Sequence, residues 1–128
     1  MNRFQIIKIR NNKRIRKVFG DRLSAAKNRA KKNNLAFELT LEIIYEKYIK
    51  QNGRCYYDKH IILTFINGHK YMISIDRIDS NLGYTIENTV LTTVFTNISK
   101  GRMTTEEYFL TREEVYIYPI NEKPILNG

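Results

Sequence analysis

Apolar residues follow two different rhythms along this 128-residue chain. Up to about residue 53 the spacing is mostly helical; beyond it the apolar runs are short and separated by turn residues. Residues 4–9, with Phe4, Ile6, Ile7 and Ile9, read as a short apolar start of strand type, followed by a polar, basic run over 10–17. Residues 23–32 read as a helix with Ala25, Ala26 and Ala30 on one side and basic residues on the other, ended by Asn33-Asn34. Thr40 is the expected N-cap of a helix over 41–51, in which Leu41, Ile44, Tyr45 and Tyr48 recur at i, i+3, i+4, i+7; Gly53 is its expected C-cap. Two β-prone runs, 61–66 and 71–75, flank Asn67-Gly68, a pair that favours a hairpin turn. Ser80, Asn81, Gly83 and Asn88 mark 79–88 as a loop, 89–92 is β-prone again, and 94–100 reads as a short helix stopped by Gly101. Thr104 or Thr105 with Glu106 and Glu107 starts a last helix to about Thr111, and the tail from Val115 shows no clear element. The expected fold class is α+β in a single domain.

The length allows one domain with one modest core. Charge sharpens the picture: 22 Lys and Arg face 13 Asp and Glu, a formal net charge of +9. Residues 1–32 hold twelve of the basic side chains and a single acid, Asp21, so the basic excess lies in the first quarter of the chain. Such segregation points to a polyanion-binding arm, and binding through it should weaken steeply with salt as counterions are released. Lys13, Arg14, Arg16, Lys17, Arg22, Lys27, Arg29, Lys31 and Lys32 are the candidate phosphate contacts. The longest apolar run, 61–66, is strand-length, far short of a membrane span, and the basic start lacks the apolar stretch of a secretory leader. A cytoplasmic setting is expected. The single cysteine, Cys55, excludes an internal disulfide and a zinc site built mainly from thiolates.

The chemistry concentrates in the order strand, polar loop, strand, short helix. Asp76 ends the first strand, and Asn97 and Lys100 sit on the helix. Folded tightly, that order can bring an Asp and an Asn to one point. Two hard oxygen donors suit Mg²⁺, which takes only one or two protein ligands and keeps several waters.

The ordered set Asp76-Arg77-Ile78-Asp79, Gly83-Tyr84, Asn88 and Asn97-Ile98-Ser99-Lys100 resembles the ββα-metal (His-Me finger) motif of HNH endonucleases, the small phage-type ones in particular. The likeness extends upstream through 26–31, Phe37, 40–44 and the Gln51-Asn52-Gly53-Arg54-Cys55 turn, covering about 24–108. It implies a basic helical DNA-binding arm (1–35), a ββα-metal nuclease core (36–112) with a C-terminal helix, and a tail (113–128). It further implies Mg²⁺ or Mn²⁺ held by Asp76 and Asn97, Asn88 bracing the loop or orienting the base, and Lys100 near the phosphate. The expected partner is duplex DNA gripped by its backbone, for a monomer or homodimer in the host cytoplasm if phage-encoded.

Two departures from the family pattern matter. Arg77 stands where the family carries its general-base His, and Asp58, Thr93 and Thr96 stand where many relatives complete a zinc knuckle with Cys55, so no structural zinc is expected. His69 lies seven residues before Asp76 along what reads as one strand, roughly 23 Å at about 3.3 Å per residue, and belongs at the wrong end of the site. Asp79 is the better candidate base, although a carboxylate is a weak one near neutral pH. Arg77 facing the site would stabilise transition-state charge instead. The competing expectation is a DNA-binding module on the same fold that has lost catalysis with its His.

Overall fold

A computed structural model describes residues 3–100, the last two through their backbone alone. The helix expected from residue 105, the tail and the side chain of Lys100 lie outside the described residues. The elements are α1 (Arg3–Asn11), α2 (Lys13–Lys32), α3 (Leu41–Lys50), β1 (Ile73–Arg77), β2 (Thr89–Thr93) and α4 (Val94–Lys100). They make an α+β arrangement around one two-stranded antiparallel sheet.

The N-terminal quarter differs from expectation. Residues 4–9 are helical, and α2 begins ten residues before the expected helix start at 23. An apolar run without a strand partner leaves its backbone groups unpaired, whereas a helix pairs them internally. Asn12 breaks α1 from α2: its backbone is extended, and its side chain accepts the Ile15 N–H at 3.0 Å. The inward face of α2 carries Ile15, Val18, Phe19, Leu23, Ala26 and Ala30 at helical spacing, with Phe19 fully buried. Phe19 stands edge-on to Tyr45, Tyr48 and Phe65, with ring centroids 5.2–5.7 Å apart. The basic helix is thereby tied to the common core.

The end of α2 and both ends of α3 follow the sequence reading. Asn33 caps α2, Asn34 takes a left-handed backbone, and the Leu35 N–H reaches back to the Ala30 carbonyl at 2.8 Å. Thr40 accepts the Ile43 N–H, and Gly53, at φ 69°, closes α3 by donating to the Tyr48 carbonyl. Ile44, Tyr45 and Tyr48 are buried.

The expected hairpin of 61–66 and 71–75 is not formed. Arg54 and Ile62 make one antiparallel bridge, and Thr64 and Met72 one parallel bridge. Asn67-Gly68 does turn, but a second turn follows at once, the His69 carbonyl accepting the Met72 N–H at 3.0 Å. The strand begins only at Ile73.

β1 pairs with β2 in the register Ile73↔Thr93, Ile75↔Leu91, Arg77↔Thr89, so Ser74 and Asp76 share the other face with Thr92 and Val90. Helix α3 contacts β2, α2 contacts β1, and α4 contacts both strands. The loop 51–58 pins the outer edge of β2: Tyr56 N–H donates to the Leu91 carbonyl, and the Gln51 amide both donates to and accepts from Leu91. Thr93 caps α4 by accepting the Thr96 N–H at 2.9 Å. No helix among the described residues is long and apolar enough to cross a membrane.

Candidate functional site

Asp76 leaves β1 on the same face as Ser74, two residues earlier. It is half-buried, and its carboxylate accepts the Tyr57 hydroxyl at 2.8 Å. Helix α4, starting immediately after β2, folds back so that the Asn97 amide reaches the Ser74 hydroxyl at 3.4 Å. Asp76 and Asn97 therefore both address the face marked by Ser74. The Asp76 carboxylate is held by a buried tyrosine, and the Asn97 amide reaches Ser74, two residues before Asp76 on the same strand face. Among the described residues no three His, Cys, Asp or Glu side chains cluster. Asp76 and Asn97 are the side chains of this face whose oxygens suit a hard divalent cation.

The other expected site residues belong to the loop between the strands. Asn88 is buried and spends its whole amide on that loop: Oδ1 accepts the Asp79 N–H at 2.9 Å, and Nδ2 donates to the carbonyls of Asp79 at 3.0 Å and Gly83 at 2.9 Å. Asp79 is exposed, and its carboxylate accepts the Asn81 N–H at 2.9 Å in a local turn. Arg77 points by strand alternation to the face opposite Asp76. Its guanidinium donates to the carbonyls of Ser80 at 2.8 Å and Leu82 at 3.0 Å and lies 5.0 Å from the Tyr84 ring centroid. Asn97 reaches Ser74, which shares a strand face with Asp76; Arg77 and Asn88 bond to backbone groups of the loop between the strands, while the Asp79 carboxylate serves a turn of that loop. His60 is exposed, and the His69 ring accepts the Tyr71 N–H at 2.9 Å.

Gly83 lets this loop dock on the segment after α2. A Cβ there would stand 2.6 Å from the Ala36 carbonyl oxygen, the same oxygen that accepts the Tyr84 N–H.

Along α2, Lys13, Arg14, Arg16, Lys17, Lys27, Arg29, Lys31 and Lys32 are exposed, and Arg22 is half-buried. Three of the arginines tack the helix to its surroundings: Arg14 donates to the Phe65 carbonyl at 3.1 Å, Arg22 to the Met72 sulfur at 3.2 Å, and Arg29 to the Tyr84 hydroxyl at 3.0 Å. Burial lowers the Arg22 pKa, neighbouring Arg29 lowers it further, and Asp21 partly offsets both. Lys17 pairs with Asp21 at 3.2 Å, a bond worth little between exposed groups.

Cys55, fully buried, lies 3.3 Å from the Thr92 hydroxyl and 4.0 Å from that of Thr96, which itself accepts from Thr93 at 2.8 Å. A packed cysteine–threonine cluster thus ties the 51–58 turn to the start of α4. Nothing in the sequence marks Tyr57 as a partner of Asp76 or Gln51 as a partner of Leu91. One tyrosine among nine and one glutamine of two carry no periodicity, and only the fold reveals their partners. Comparison of the chain with protein-family models, with curated proteins and with solved structures finds no match.

Proposed function

We propose that the protein is a divalent-metal-dependent DNA endonuclease of the HNH type, cutting phosphodiester bonds on a ββα-metal core. The observation that carries this reading is that Asp76 and Asn97, twenty-one positions apart, address one face of the β1–β2 pair through Ser74. Asn88, buried and bonded to the loop, supports the bracing role, one of the two that the resemblance implies. Cys55 and Thr96, two positions of the family's zinc knuckle, also lie side by side.

Asp76 and Asn97 would hold Mg²⁺ or Mn²⁺, which when bound polarises the scissile phosphate and stabilises the departing oxyanion. The Tyr57 hydroxyl fixes the Asp76 carboxylate, so its oxygens need not reorganise when substrate arrives. Asn88 and Arg77 hold the intervening loop from inside. Asp79, whose carboxylate accepts the Asn81 N–H, is the candidate base of this reading, and nicking at the parental rate by Asp79→Asn would exclude it. The exposed cations of α2 supply backbone contacts to duplex DNA, and Lys100 is the candidate cation of α4.

Arg77 favours a second reading, a DNA-binding protein of this fold without catalysis. It follows Asp76 directly, and its guanidinium is committed to loop carbonyls. One assay separates the two: supercoiled plasmid with Mg²⁺ or Mn²⁺, parent beside Asp76→Ala and Asn97→Ala. The nuclease reading expects nicking by the parent and at least a 100-fold loss in each variant. Salt-sensitive binding without cutting by the parent in either metal selects the binding module.

A further inference from the structure

A second basic surface lies outside α2. The C-terminal part of α3, the 52–59 turn and the loop between the strands enclose a cleft of about 880 Å³, within the range of about 300–1,000 Å³ usual for ligand pockets. Lys47, Lys50, Arg54 and Lys59 line it against a single acid, Glu87. Tyr56, 41% exposed, forms part of its wall and stands edge-on to Tyr57 at 5.1 Å between centroids. Tyr57 in turn donates to Asp76.

We infer that this cleft binds a single-stranded segment of nucleic acid, with a base stacked on Tyr56 and phosphates on Lys50, Arg54 and Lys59. An exposed aromatic beside several cations is the chemistry of strand binding, because only an unpaired base offers its face for stacking. The cleft is short of negative charge. Lys47, anchored to the Ile86 carbonyl, has its pKa lowered by burial and by neighbouring Lys50, against the opposing pull of Glu87. An arriving phosphate relieves that repulsion. That the strand then leads toward Asp76 through Tyr56 and Tyr57 rests on the nuclease reading; the binding itself does not.

The test uses the full chain in EDTA, so that no cleavage is needed, and the anisotropy of a short labelled single-stranded DNA. Tyr56→Ala is expected to weaken binding roughly 5- to 100-fold, while Tyr56→Phe keeps it. The double variant Lys50→Ala/Lys59→Ala is expected to lower the salt slope by about 1.4, since each single-strand phosphate contact contributes about 0.7. All three residues are exposed, and unchanged melting temperatures separate lost contacts from lost fold. Parental single-strand affinity in both Tyr56→Ala and the lysine double variant overturns the proposal. So does competition by poly-glutamate at equal charge as strong as that by unlabelled DNA, which marks a groove for acidic peptide. Because no metal is present, absence of plasmid nicking leaves this outcome intact.

Discussion

At the scale of single residues, Asn88 separates bracing from chemistry. Its amide serves three backbone groups of the loop. Asn88→Ala strands those groups and should cost about 2–3 kcal/mol, read as a lower urea midpoint at unchanged slope. Asn88→Asp is expected to do no better, because a carboxylate would meet the carbonyl oxygens of Asp79 and Gly83 where the amide now donates. Full stability with lost nicking in either variant would make Asn88 a participant in the reaction. The resemblance leaves two roles open for this residue, and these two readouts, stability and nicking, separate them.

At the scale of elements, what could be read from the chain was what local chemistry dictates. Thr40 and Gly53 bound α3 through their own side-chain and backbone preferences, and Asn33-Asn34 stop α2 for the same reason. The loop and the two strands around Asp76 were equally legible, because turn residues and β-branched runs mark them. The start of α2 was not, since residues 13–22 are dominated by charge and interrupted by Gly20, while the partners that make Phe19 a core residue lie in α3 and at Phe65. The 61–72 segment failed similarly: Thr64 finds its backbone partners at Tyr71, within the second turn, and at Ile73, just after it. The long α2 has its own test. A Cβ at Gly20 would meet nothing within 4 Å, so Gly20→Ala should stabilise the protein by about 0.5–1 kcal/mol, seen as a higher melting temperature. Gly20→Pro should cost about 3 kcal/mol or more, by removing a helix hydrogen bond and crowding the preceding turn. A proline tolerated there would mean that the chain is not helical through residue 20.

At the scale of the whole molecule, charge and packing are divided along one helix. The inward face of α2 supplies Phe19, Ala26 and Ala30 to the core, and its remaining surface presents lysines and arginines to solvent. Arg29 belongs to both, because it is exposed yet bonded to the buried Tyr84, whose ring lies beneath Arg77. Removing Arg29 should therefore lower stability and DNA affinity together. Lys27 and Lys31 lie one turn apart and are exposed, so their loss should affect affinity alone. If α2 grips a duplex by its phosphates, the logarithm of the binding constant falls linearly with that of salt, with a slope of about 0.9 per contact. Lys27→Ala/Lys31→Ala should then reduce the slope on duplex DNA by about 1.8, weaken binding evenly across sequences, and leave the melting temperature unchanged. A parental slope in that variant would remove α2 from the DNA interface and leave the cleft beside Tyr56 as the surface that meets nucleic acid.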